Sequence, residues 1–178
     1  QFNKGITNAN RIAILRGIAS EFGITANVPS NFDGIPVLNN LKATFYGFKD
    51  DRKAEDINNL WSLFELALAL ADNDTEDNRQ KFSEAYDKVH DQLCIRWNIT
   101  MGLYWIRPYT FINLDSRNRW FIADAQNMPG EFVVAAEKKL KKVPYAADYL
   151  EIKDLCKKAL DAGEYEYKNF PDLSYTAW

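Results

Sequence analysis

The chain has 178 residues, with 25 acidic and 22 basic side chains and a formal net charge of −3. Hydrophobic residues make up 47% and charged residues 26%, so the composition predicts one globular domain, or one domain with a small appendage. Dedicated nucleic-acid-binding domains are usually basic, and this balance argues mildly against that class while leaving room for a local basic patch.

The cysteines and the N-terminal residues indicate the cellular compartment in which we expect the protein. Cys94 and Cys156 are far apart and form no CxxC pair, which predicts two reduced, buried thiols of an intracellular protein. The N-terminus lacks the apolar segment of a signal peptide, and the longest apolar run, 66–71, is too short to span a bilayer. We therefore expect a cytoplasmic location and no membrane partner. Because the chain starts with Gln and stops at Trp178, we also expect it to be a piece of a longer protein.

The first part of the chain predicts one helix followed by a loop. Apolar residues at helical spacing mark a helix over Asn8–Phe22, which Gly23 ends. Residues 24–40 carry two prolines and an Asp-Gly pair and read as a loop. The β-forming residues of Leu41–Phe48 predict a short strand.

The middle of the chain predicts two antiparallel helices joined by a polar turn. The first spans roughly Ala54–Ala71 and the second follows the break at Asp72–Thr75. The predicted apolar stripe of the first helix contains Ile57, Leu60, Trp61, Phe64, Leu68 and Ala71.

Three further helices are predicted towards the C-terminus. They cover Glu131–Lys142, Pro144 to about Ala162, and a short segment from Asp172. The fold class is thus mainly α, a multi-helix domain with a small β element, with α+β as the alternative. We divide the chain into an N-terminal helix and loop, residues 1–40, which can belong to the same domain, and a helical module, residues 41–178.

The stretch Gln92–Asp124 has the most unusual composition. It contains three of the five tryptophans and four arginines but no lysine. Arginine stacks on aromatic faces and forks onto carboxylates or phosphates, so two interpretations remain open. One is an aromatic core whose arginines pair with Asp115 and Asp124, which composition favours because large aromatics usually bury most of their area. The other is a surface that grips a polyanion or stacks on a base.

Within this stretch, local signals suggest a site. Asp115 or Ser116 can cap a helix whose first turn holds Arg117 and Arg119. Cations in a first turn oppose the helix dipole, so each needs a compensating carboxylate from the domain or a phosphate from outside. Pro108 disfavours helical geometry before it, which predicts an extended segment over 105–107.

Signals for catalysis are weak. The single histidine, His90, lies on a predicted helix, and no zinc, EF-hand, P-loop or GxSxG motif occurs. Asp124 with Glu137 and Lys139 could imitate a nuclease carboxylate–lysine set, but Glu and Lys commonly solvate the outer face of a helix. The lysines of 138–142 are either a solvated helix end or phosphate contacts.

Three ordered blocks resemble the region upstream of the motor domain in McrB-like AAA+ proteins, the NTPase subunits of modification-dependent (5-methylcytosine) restriction systems. The first runs from Phe45-Tyr46-Gly47-Phe48 through Lys53 to the segment 56–64. The second is Thr100–Pro108 followed by Leu114-Asp115-Ser116-Arg117-Asn118-Arg119, and the third is Phe170–Trp178. Together they cover about residues 41–178.

The resemblance implies a parent protein that hydrolyses GTP or ATP with Mg, forms a homo-oligomeric ring, binds DNA through N-terminal regions and drives a partner nuclease in phage defence. The chain contains no Walker motif, so we expect no cofactor, metal or catalytic residue in this fragment.

The sequence therefore predicts a non-catalytic module that contributes to binding DNA, with modified bases as one option. The alternative is an assembly or spacer module that links the recognition domain, the ring and the nuclease. The candidate DNA-binding residues are Trp105, Arg107, Tyr109, Arg117, Arg119, Lys138, Lys139, Lys141 and Lys142.

Overall fold

The computed structural model describes residues 5–32 and 43–178 of the chain. These residues form helices joined by turns and loops, and no strand occurs among them, which confirms a mainly α fold. The helices are α1 (Asn8–Glu21), α2 (Asp56–Asp72), α3 (Glu76–His90), α4 (Asn98–Ile106), α5 (Ser116–Ile122), α6 (Gly130–Lys139), α7 (Ala146–Asp161) and α8 (Phe170–Thr176).

The chain divides into two compact units, Gln1–Thr44 and Phe45–Trp178. In the first unit, the hydroxyl of Thr7 accepts a hydrogen bond from the backbone N–H of Asn10 and begins α1. Gly23, at φ +63°, follows the helix in the left-handed conformation that glycine adopts readily. The predicted helix is confirmed, although Phe22, on its predicted apolar side, is 75% exposed.

The second unit is built around α3. The helices α2 and α3 form the predicted hairpin, and α3 packs in turn on α7, which also contacts α6. Two fully buried tyrosines join α3 to α7, since the rings of Tyr86 and Tyr149 stack with centroids 5.3 Å apart. Their hydroxyls donate to the backbone oxygens of Pro144 and Ile112, so neither phenol is buried without a partner. Burial raises the pKa of both phenols.

A network of charges also ties α3 to α7 at the edge of this core. The Arg79 guanidinium on α3 donates to Asp154 on α7 at 2.6 Å and to Asp74 in the α2–α3 turn at 2.7 Å. Lys153 is 3% exposed, and its ammonium lies 2.8 Å from Asp154 and 3.6 Å from Asp74. Two cations and two carboxylates therefore balance, which allows a lysine to be almost completely buried.

Four local expectations from the sequence are wrong. The strand over Leu41–Phe48 is absent from its described part, 43–48, and residues 41 and 42 lie outside the described residues. No strand pairs with this segment in the described ranges; instead the Phe45 ring packs against the core beside Gly102, where a Cβ atom would come within 2.8 Å of the ring. In addition, α4 continues through Ile106, so Pro108 displaces only Arg107 from helical geometry.

The remaining two errors concern helix faces and ends. The side of α2 that faces the core carries Leu63, Ala67 and Leu70, whereas Trp61 is 63% exposed and Phe64 is 36% exposed. Leu60 and Ala71 of the predicted stripe do pack against the core, so the buried face overlaps the prediction but is shifted away from Trp61 and Phe64. The helix predicted to end at residue 142 ends at 139, which leaves the last two lysines in the following turn.

We expect Arg79→Ala to destabilise the second unit by about 1–2 kcal/mol, because it leaves two carboxylates with only Lys153 to balance them. Urea unfolding measures this change. Lys81→Ala is the matched control on the same helix: its exposed pair with Asp77 should contribute less than about 0.5 kcal/mol.

The same network gives a pH dependence with a definite sign. The hydrogen bond from Arg79 lowers the pKa of Asp74, with burial opposing it and Lys153 adding to it. Burial raises the pKa of Asp154, but Arg79 and Lys153 outweigh it, so the pKa falls overall. The stabilisation is thus complete above the unfolded-state pKa of about 4 and is lost as the pH falls through the folded-state values. Below pH 4 the wild type should lose stability more steeply than Arg79→Ala, and parallel curves would contradict this account.

Candidate functional site

The sequence-predicted site residues fall on three separate segments of the second unit. Trp105 is on α4, with Arg107 and Tyr109 just after its end, and the two arginines of the DSRNR segment lie on α5. The lysines lie at the end of α6 and just beyond it. We describe the three segments in turn, beginning with α5.

Helix α5 begins as the sequence predicts. One carboxylate oxygen of Asp115 accepts the backbone N–H groups of Arg117 and Asn118 at 2.9 and 2.8 Å, which caps the helix. The buried side of α5 carries Asn118, Phe121 and Ile122. Arg117 flanks this buried side and is exposed.

The exposed side of α5 joins an arginine to two tryptophans. The Arg117 guanidinium carbon lies 6.0 Å from the ring centroid of Trp120, one turn along the helix, and 5.6 Å from that of Trp178. Trp120 is 64% exposed and Trp178 is 74% exposed. We call Arg117, Trp120 and Trp178 the arginine–tryptophan surface. Both tryptophans and Arg117 are thus solvent-exposed.

Arg119 has a different environment on the same helix. Its guanidinium carbon lies 3.5 Å from the ring centroid of Trp97, which itself packs against the hydrophobic core. Burial lowers the pKa of Arg119, and the charge of Asp115 partly opposes that effect. Arg119 is thus a closely stacked, half-buried cation–π partner.

The expected carboxylate partners of these arginines are not used. Among the described residues, neither Arg117 nor Arg119 forms an ion pair. Asp115 is occupied with the helix cap, and Asp124 accepts the backbone N–H of Gln126. The guanidinium groups lie over tryptophan rings instead of pairing with carboxylates. Arg119 contacts Trp97, and Arg117 contacts Trp120 and Trp178.

Helix α8 positions Trp178 beside α5. The side chain of Asn118 on α5 is fully buried and donates to the Ser174 hydroxyl of α8 at 3.2 Å. Burial raises the pKa of the Tyr104 phenol of α4, and the Ser174 hydroxyl partly opposes this effect. The Asn118–Ser174 hydrogen bond therefore joins α5 to α8.

Sequence reasoning missed Trp120 and Trp178 as site residues. The spacing of three between Arg117 and Trp120 places them on one helical face and could have indicated the first. Nothing in the sequence indicated Trp178, because its proximity depends on how α8 packs on α5.

The segment after α4 is partly engaged within the domain. Arg107 lies 3.7 Å from the Asp72 carboxylate of α2 and donates to the backbone oxygen of Ile106. Trp105 and Tyr109 are 61% and 70% exposed. These rings are accessible, whereas the charge of Arg107 is partly compensated by a loose, solvent-exposed pair.

One of the four candidate lysines serves the fold. The Lys139 ammonium pairs with Asp148 and, at 2.9 Å, with Glu151 of α7. These two hydrogen bonds raise its pKa and join α6 to α7, so Lys139 is not a free phosphate contact. The other three candidates, Lys138, Lys141 and Lys142, are exposed.

The single histidine, His90, makes contacts within the domain. The two ring nitrogens of His90 lie 2.8 Å from the Asp91 carboxylate and 3.1 Å from the backbone oxygen of Val143. Within residues 5–32 and 43–178, no group of three or more His, Cys, Asp or Glu side chains is placed to hold a metal ion. No helix in these ranges has the length and apolar character needed to cross a bilayer.

Comparison with protein families matches residues 1–178 to a family described as Domain of unknown function (DUF8425). The chain belongs to this family. Since the match covers the whole chain, the arginine–tryptophan surface and the α3–α7 core both lie within the family domain. Neither the curated proteins nor the solved structures contain a match to the chain.

We expect Asp115→Ala to destabilise the second unit by about 1–2 kcal/mol, because α5 loses the acceptor for two backbone N–H groups. The free energy of unfolding of Asp115→Asn should lie within about 0.5 kcal/mol of that of the wild type, since asparagine caps almost as well. Urea unfolding followed by circular dichroism compares the three proteins. Equal losses in both variants would show that the charge, and not the cap, matters at this position.

Proposed function

We propose that this chain is a non-catalytic module that binds nucleic acid through the arginine–tryptophan surface. The proposal rests on the exposure and the contacts of Arg117. Its guanidinium is exposed, lies between two exposed tryptophan rings, and has no carboxylate partner among the described residues. An arginine in this setting retains its hydrogen-bond donors for a phosphate or a base edge.

The flanking groups suit the same ligand. Tryptophan rings provide stacking faces for bases, and base stacking tolerates any sequence because every base has a π-face. The overall charge of −3 favours a local contact over a broad electrostatic one. Trp105, Tyr109 and the exposed lysines, Lys138, Lys141 and Lys142, are further candidate contacts in this proposal.

The McrB-like resemblance supplies a biological setting for the proposal. In that setting the module lies next to an AAA+ motor in a cytoplasmic restriction complex and contributes to binding DNA, with or without modified bases. The parent protein would use GTP or ATP with Mg, form a ring and act with a partner nuclease. Each of these properties belongs to the parent protein and is part of the proposal.

Fluorescence anisotropy with short labelled DNA tests the proposal, using methylated and unmethylated duplexes and single strands across a salt series. We expect Arg117→Ala to weaken binding at least fivefold while the melting temperature stays the same, because the side chain is exposed and forms no ion pair in the described structure. Arg119→Ala is expected to lower the melting temperature as well, since it removes a stacked partner of Trp97.

The triple variant Lys138→Ala, Lys141→Ala, Lys142→Ala is the control for charge alone. It removes three positive charges where Arg117→Ala removes one. If the triple variant loses binding and Arg117→Ala does not, the site lies at the end of α6. If the chain binds no DNA even at low salt, the proposed function is wrong.

A specific observation favours a second function, that of an assembly module. Trp61 and Phe64 of α2 pack edge to face, with ring centroids 5.8 Å apart, and both are exposed. Exposed aromatic pairs are frequent anchors of protein interfaces. If DNA binding is absent, a protein-docking role for this face becomes the leading proposal.

A further inference from the structure

We infer that the arginine–tryptophan surface prefers single-stranded nucleic acid, whose unpaired bases stack on Trp120 and Trp178, over a duplex. The inference rests on the proposed function and specifies its ligand class. It follows from the number of exposed rings relative to exposed charges, the loose contact of Arg117 with those rings, and the cap of α5.

The surface offers more ring area than charge. It contains two exposed tryptophan rings but one exposed guanidinium. Duplex-binding proteins typically neutralise about 6–10 phosphates with lysine and arginine. In a duplex the base faces are covered by neighbouring pairs, so exposed rings gain little from it. In a single strand the base faces are free to stack on aromatic side chains.

The guanidinium of Arg117 lies farther from its two rings than the guanidinium of Arg119 does from Trp97. The Arg117 guanidinium carbon lies 5.6 Å from the centroid of Trp178 and 6.0 Å from that of Trp120. In the Arg119–Trp97 pair the corresponding distance is 3.5 Å, which is direct stacking. Arg117 thus lies near both exposed rings without covering either one closely. A base can stack on a ring while the guanidinium contacts the adjacent phosphate.

The cap of α5 disfavours the usual modes of duplex binding. Asp115 places a carboxylate at the helix N-terminus, where it uses the backbone N–H groups that would otherwise meet a phosphate. With seven residues, α5 is about 10 Å long, which is short for a helix that reads the major groove. Repulsion between Asp115 and the closely spaced phosphates of a duplex adds to this effect.

Contacts of neighbouring residues and a backbone hydrogen bond order the backbone at both tryptophans. Trp120 lies between Arg119, stacked on Trp97, and Phe121, which packs on Tyr167. Trp178 follows the buried residue Ala177, and its backbone N–H bonds to the Tyr175 oxygen. Rings on an ordered backbone lose less freedom on binding, which favours stacking as the source of affinity.

The experiment compares a labelled 12-nucleotide thymidine strand with the same strand paired to its complement, by anisotropy in a salt series with the full 178-residue chain. We expect the single strand to bind at least tenfold more tightly. Its salt dependence should be shallow, with a logarithmic slope of about −0.7 to −1.4 for one or two phosphate contacts at about −0.7 each. Binding should also quench tryptophan fluorescence.

Trp120→Ala and Trp178→Ala should each weaken binding of the single strand about tenfold and leave the melting temperature unchanged. Trp61→Ala, which removes an equally exposed tryptophan from α2, is the matched control and should bind like the wild type. Arg117→Lys keeps the charge but loses the planar guanidinium, so it should bind more weakly than the wild type and more tightly than Arg117→Ala.

The outcomes separate this inference from the proposed function. Equal or tighter binding of the duplex, or unchanged binding by Trp120→Ala and Trp178→Ala, would overturn the preference for single strands and leave nucleic-acid binding intact. The absence of binding to either form at low salt would overturn both.

Discussion

The contact between α3 and α7 is the constraint on which the second unit depends. Its centre is the stacked pair Tyr86 and Tyr149, which must be buried together with satisfied hydroxyls. Its edge is the Arg79 network, in which the buried Lys153 requires two carboxylates from different segments. A polar group that is buried needs its partners in place, so these contacts fix α3 and α7 relative to each other. This pair also positions two other helices, because α2 packs on α3 and α6 packs on α7.

The two arginines of α5 follow the opposite principle, because neither Arg117 nor Arg119 forms an ion pair among the described residues. Arg79 and Lys139 are held by carboxylates and serve the fold. Arg117 and Arg119 are held by tryptophan rings, which stabilise a guanidinium without using its hydrogen-bond donors. This difference separates structural cations from candidate binding cations in one small domain, although all four belong to the same two residue types.

Membership of DUF8425 places the whole chain in one family and leaves its activity as a matter of proposal. The proposed single-strand preference would add a physical mechanism, stacking, to the DNA-binding role that the McrB-like resemblance implies. In a complex that opens or translocates DNA, a module that holds an unpaired strand would act beside the motor. Trp61 and Phe64 lie on α2 and not on the arginine–tryptophan surface, so one module could contact both a strand and a neighbouring protein.

The sequence by itself determined where most helices lie and how α5 begins. Helical periodicity, the Asp115 cap and the break at Asp72–Thr75 are local signals, because each depends on residues only a few positions apart. Tertiary structure decided which face of α2 is buried, that the predicted strand does not form in 43–48, and that Lys139 belongs to the fold. It alone brought Trp178 to Arg117, since that contact joins residues 61 positions apart through the packing of α8 on α5. Interactions between residues a few positions apart determine where each helix begins and ends. The partner of each side chain depends instead on contacts between distant segments, which no short pattern encodes.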